Sequence, residues 1–158
     1  MTDNYIGIMI ESLRRKKDVL TDILKLSEEQ SLLLDDPNLE PDTFEKNVNR
    51  KAALIDKLEQ LDTGFESLYD KVKEELESNR DIHKKQIRQM QELIRALTEL
   101  NMQIQATEAR NKEKATAKFA YIRQQAKEIR SSQKIVKEYY NNMMHKAYNE
   151  PHFLDNKK

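Results

Sequence analysis

The residues of this chain that could do chemistry are few and badly placed for it. His83, His145 and His152 are the only histidines. A di-metal helical bundle needs a Glu three residues before each ligating His, and Arg80, Asn142 and Asn149 occupy those positions. These histidines read as solvated or helix-end residues without a catalytic task. The chain has no cysteine, which removes disulfides, thiolate metal sites and thiol nucleophiles. Asp35-Asp36 and Glu74-Glu75 are neighbouring carboxylates, but neighbours on a helix diverge and do not form an acid/base pair. Two isolated glycines, Gly7 and Gly64, cannot build a phosphate-cradling loop. The expectation is a protein with no catalytic residue, metal or cofactor: not an enzyme.

Two polar features remain. Asn101, Glu108 and Asn111 fall on the apolar seam of a helical pattern, where polar residues set register at some cost in stability; the competing reading is a polar ligand pocket. The stretch from Arg110 to Lys137 holds nine Lys/Arg against two Glu. It reads as a solubilising face, or as a nucleic-acid surface with Phe119 and Tyr121 as stacking residues. A net charge of zero speaks for the first, because nucleic-acid binders are usually basic overall. That zero is a cancellation: residues 1–80 carry 12 basic and 19 acidic side chains, residues 81–158 carry 16 and 9. Opposite charge favours docking the second half onto the first.

The elements that position these residues are helices. Two Gly, three Pro, no Trp and 35% charged residues suit a few long helices better than an α/β core. A first helix spans about 4–34, with Ile6, Met9, Ile10, Leu13, Leu20, Ile23, Leu24, Leu33 and Leu34 on its stripe. Lys16-Lys17 and Ser27-Glu28-Glu29-Gln30 interrupt it. Asp35-Asp36-Pro37-Asn38 ends it, since Pro37 disfavours helix at Asp36. Asp42 and Glu45 read as a capping box opening a second helix over about 43–79. Its seam steps by seven through Val48, Ile55, Asp62, Tyr69 and Leu76, and through Lys51, Leu58, Phe65, Val72 and Asn79. Leu54, Leu61 and Leu68 widen the face enough for two partner helices. A turn near Glu77–Asp81 precedes a third helix over about 82–145. The expected fold is all-α: an elongated antiparallel three-helix bundle or coiled coil. Residues 1–147 form one domain and 148–158 a flexible polar tail.

The third helix is too long for this bundle. The second helix can cover it only to about residue 117, because helical rise is equal on both sides of the turn. Beyond that point Phe119, Ile122, Ile129, Val136, Tyr140 and Met143 continue one apolar face, with Tyr139 beside it. An apolar stripe without a partner marks a binding surface, so these seven residues are the expected partner-binding site. The occupant is a partner helix, a second copy of the chain, or a fold-back of Phe153-Leu154. No stretch approaches the roughly 20 apolar residues of a membrane span, and the N-terminus has no basic n-region or secretory core. A soluble cytoplasmic protein is expected.

Arg50-Lys51-Ala52-Ala53-Leu54-Ile55-Asp56-Lys57-Leu58-Glu59-Gln60-Leu61, following a first helix that ends in a short acidic loop, resembles the second helix of the FlgN-type flagellar type III export chaperones. Ile104-Gln105-Ala106-Thr107-Glu108-Ala109-Arg110-Asn111 is similar to the polar middle of that family's third helix. The resemblance spans about residues 13–140. It implies a non-enzymatic cytoplasmic chaperone that binds the C-terminal helical segment of secreted flagellar hook-associated proteins, prevents premature assembly and aids delivery to export-gate or ATPase components. A structural homo-oligomer and a nucleic-acid-associated helical protein are the alternative classes.

Overall fold

Four helices account for the described residues, 2–125 and 130–147 of a computed structural model: α1 (Thr2–Asp35), α2 (Pro41–Ser78), α3 (Lys84–Gln125) and α4 (Arg130–Ala147). The first breaker works as its sequence suggests. Asp36 accepts from Asn38 N at 2.9 Å through its carboxylate, an Asx turn that reverses the chain. The start of α2 differs from the capping-box expectation. Pro41 opens the helix behind Glu40, which caps it without a side-chain bond. Proline at the first helical position has its φ preset and lacks only an N–H that would be unpaired anyway. Gly64 does not interrupt α2.

The second turn contains neither Gly nor Pro, and Glu75 substitutes for them. Its carboxylate accepts from Asn79 Nδ2 at 2.9 Å and lies 2.8 Å from His83 Nε2. Those bonds hold the Glu75 carboxyl below its ordinary range. Residues 79–83 thereby form the turn. His83 is buried within it, 3.8 Å from Asp3 at the start of α1, so of the two expected readings, solvated or helix-end, it takes the helix-end one, just before α3.

α1 is the central element. It packs along α2 in the antiparallel sense and along α3 in the parallel sense, while direct contact between α2 and α3 is slight. At the end carrying the α2–α3 turn the seam is apolar: Ile6, Met9, Ile10 and Leu13 of α1 pack with Phe65, Tyr69, Val72 and Leu76 of α2 and Met90, Ile94 and Leu97 of α3. Leu58 of the seam and Leu61 and Leu68 of the widened face of α2 are half-buried against this core.

The long overhanging third helix is not how the chain runs. α3 ends at Gln125, and α4 returns against α3 and α2, parallel to α2. The physical reason is the stripe itself. Extended, it would leave a row of large apolar side chains in water; folded back, it buries Val136, Tyr139, Tyr140 and Met143, each with up to about 1.5–3 kcal/mol to gain from full burial. The expected polar tail, 148–158, and Ile129 lie outside the described residues.

Candidate partner-helix groove

α4 lies in the groove that α2 and α3 leave open beside α1, at the end of the bundle nearest the α1–α2 loop. The apolar part of this groove is framed by Phe44 and Phe119, whose rings meet edge-on at 5.6 Å between centroids and an interplanar angle of 75°. Val48 and Ile55 continue its floor and are buried. A cleft of about 320 Å³ remains where Leu39, Pro41, Phe44 and Val48 face Phe119, Ile122, Ile135 and Val136. Ile135 is half exposed at its mouth.

Below the middle of α4 the groove turns polar. Lys51 of α2 and Glu108 of α3 form an ion pair with both side chains 0% exposed. Ser27 of α1 donates to the same Glu108 oxygen. Lys51 Nζ also donates to Gln30 Oε1 at 3.2 Å. Gln30 passes the network to Asn47 through its amide (3.1 Å), and Asn47 donates to the Leu26 carbonyl at 2.9 Å. Asn111 Nδ2 donates to the Ser27 carbonyl at 2.8 Å and to Gln30 Oε1 at 3.3 Å. α4 closes the cluster from above: Tyr140 OH donates to Gln30 Oε1 at 2.8 Å, and the Tyr139 ring stands 4.8 Å over Lys51 Nζ.

The electrostatic consequences follow from burial. Loss of water lowers the Lys51 pKa, against the pull of Glu108, which raises it. Burial, reinforced by the negative charge of Glu108, pushes both tyrosine hydroxyls well above their ordinary value of 10.0. Three buried atoms, Glu108 Oε2, Asn111 Oδ1 and Tyr139 OH, have no hydrogen-bond partner among the described residues. Unpaired buried polar atoms cost about 1–3 kcal/mol each, so the closed groove holds α4 against an opposing term.

Six of the seven stripe residues named from sequence gather here, all but Ile129, which is not among the described residues, but not as a free surface. Phe119 is buried on the groove wall and Ile122 half-buried beside it. Val136, Tyr139, Tyr140 and Met143 fill the groove from α4. The expectation that they lack a partner in their own chain is therefore corrected: the partner is α2 and α3. Phe119 is closed to base stacking, and Lys114 of the basic stretch is engaged with Asp35 at 3.0 Å. Of the polar seam residues, Glu108 and Asn111 are fully buried and Asn101 is half-buried. Sequence reasoning missed Lys51, Ser27, Gln30 and Asn47 as their partners. The available signal was that all four interrupt or occupy apolar seams of their own helices. Among the described residues no cluster of His, Asp and Glu could hold a metal ion, and no helix is long and apolar enough to cross a membrane.

A protein-family model described as FlgN protein matches residues 1–147. The chain belongs to the FlgN family. That places it among flagellar export chaperones, a family of binding proteins rather than enzymes. The match covers all four helices and hence both the groove and the helix that fills it. No curated protein and no solved structure matches the chain significantly.

Proposed function

We propose that this FlgN-family chain holds a helical C-terminal segment of secreted flagellar hook-associated proteins, keeps that segment from assembling prematurely and passes it to the export apparatus. The client helix takes the place of α4. The observation that carries this reading is that α4, an 18-residue helix, sits in a ready-made groove between α2 and α3. Phe119 and Ile122 are groove wall in both states. Val136, Tyr139, Tyr140 and Met143 are the internal occupant that a client helix exchanges with; Ile129 lies outside the described residues. A chaperone built this way hides its apolar groove until a client arrives, which suits a chain whose sticky surface would otherwise be exposed between deliveries.

Exchange has a measurable signature. When the competent state is only a fraction of the population, apparent affinity falls by that fraction, and unseating the internal occupant restores it. Val136→Asp with Met143→Asp puts two carboxylates into the apolar seat of α4 and leaves α1–α3 untouched. Titration with a C-terminal helical fragment of a hook-associated protein is expected to show at least about ten-fold tighter binding to the double variant than to the unaltered chain. Weaker binding would mean that α4 itself is the client-contacting face, and the exchange reading would be wrong.

A further inference from the structure

Tyr139 and Tyr140 are adjacent, buried and chemically identical, yet the groove treats them differently. The Tyr140 hydroxyl is bonded to Gln30 Oε1. The Tyr139 hydroxyl has no partner among the described residues, and its ring supplies a face to the Lys51 ammonium instead. We propose that the groove is a helix-reading site with an asymmetric polar key. It accepts an amphipathic helix that presents an aromatic ring over Lys51 and, at the next position, a hydrogen-bond donor to Gln30, with aliphatic or thioether side chains three residues before the first and three after the second.

The chemistry of the floor dictates each element of that description. Gln30 is held by its amide bond to Asn47, so its Oε1 is fixed toward the groove as an acceptor; a helix placing a carboxylate or another acceptor there meets repulsion. Lys51 is neutralised by Glu108 on one side, and on the other it is covered by a ring face, which attracts a cation without needing a proton to donate. A hydroxyl on that ring is superfluous: none of the described residues bonds the Tyr139 oxygen. Val136 and Met143 mark the flanking apolar seats, against Phe119 and Val48 at one end and Ile55 at the other. The occupant is argued from α4, which is seated on the site and displays its specificity. The inference deepens the exchange reading by naming the chemistry a client helix needs.

The test uses a peptide with the sequence of residues 130–147 and, as acceptor, the full chain carrying Val136→Asp and Met143→Asp, its helical content checked by circular dichroism. The labelled peptide is expected to bind. Tyr139→Phe in the peptide leaves affinity unchanged or improved. Tyr140→Phe, the same atom removed one residue later, weakens it about three- to ten-fold. That loss disappears when Gln30→Leu is added to the acceptor, because the two changes remove one bond. As a measurement that needs no altered acceptor, Tyr140→Phe in the otherwise native chain speeds amide exchange of α4 several-fold relative to α1, and Tyr139→Phe does not. Equal effects of the two substitutions, or no peptide binding at all, would overturn the proposal. Its failure is separable from that of the exchange reading: the hook-associated fragment can bind more tightly to the double variant while the peptides fail to discriminate, or the reverse.

Discussion

The two ends of this bundle are built on opposite principles. At the end of the α2–α3 turn, α1 packs against α2 and α3 through aliphatic and aromatic side chains, with Lys16 and Asp62 paired at 2.7 Å where the apolar seam gives out. At the end of the α1–α2 loop, the same three helices meet through Ser27, Gln30, Asn47, Lys51, Glu108 and Asn111, all buried, and a fourth helix closes over them. Apolar packing supplies net stability. A buried ion pair is a poor source of net stability, because desolvation costs several kcal/mol per ion. On the exchange reading it penalises wrong registers and lets α4 open, since opening returns charge to water. One end is closed by apolar packing; the other is closed over a buried polar network.

The largest expected effect breaks the polar end. Lys51→Ala leaves Glu108 buried without its counter-charge and should destabilise by about 3–5 kcal/mol, comparable to or greater than Leu13→Ala in the apolar end at about 2–5 kcal/mol. Chemical denaturation measures both. The contrast sharpens when the pair is removed together: Lys51→Met with Glu108→Leu should be near neutral or stabilising, because an apolar replacement avoids desolvation, whereas no second substitution beside Leu13→Ala would erase a cavity so completely. If Lys51→Ala and the double variant lose the same stability, the ion pair is not what distinguishes the two ends.

A smaller effect follows from pH. The hydroxyls of Tyr139 and Tyr140 have raised pKa values with α4 seated and ordinary ones, near 10.0, once it is released. The open state thus loses protons more readily, so the stability of closure is full below pH 10 and falls as pH rises past it. The lowered pKa of Lys51 works the other way, strengthening closure as that ammonium loses its proton. The tyrosine contribution can be isolated by tyrosinate absorbance. Tyr139 and Tyr140 should titrate late and together with α4 exposure, while the apolar end remains folded. Titration of both near the ordinary value would place α4 off the groove.

Much of the apolar end was legible in the sequence, because heptad spacing is local information. Phe65 and Val72, like Tyr69 and Leu76, stand seven residues apart, and each is buried. The polar end was visible only as separate interruptions. Lys16 and Ser27 broke the first stripe, and Lys51, Asp62 and Glu108 sat on seams of other helices, but matching them requires the relative register of three helices, which no single stripe encodes. The reversal after Gln125 was hidden for a different reason. No Gly or Pro stands between Gln125 and Arg130, and an amphipathic stripe serves equally as an extension of α3 or as a helix laid back on α2. Only the groove, a product of α1 being the central helix, decides between them. The start of α2 shows the same limit on a small scale, since Asp42 and Pro41 are both valid start signals one residue apart.

The absence of cysteine allows the most direct test of exchange. Ala52 of α2 and Glu138 of α4 line the same cleft, so Ala52→Cys with Glu138→Cys can be joined by a short bifunctional maleimide, or by a reducible reagent of similar length, to pin α4 in place. The pinned chain is then titrated with the C-terminal helical fragment of a hook-associated protein. Exchange predicts that pinning lowers affinity at least about ten-fold and that cleaving the reducible link restores it. Undiminished binding by the pinned chain would contradict the account, because a client could not then be entering the groove that α4 fills.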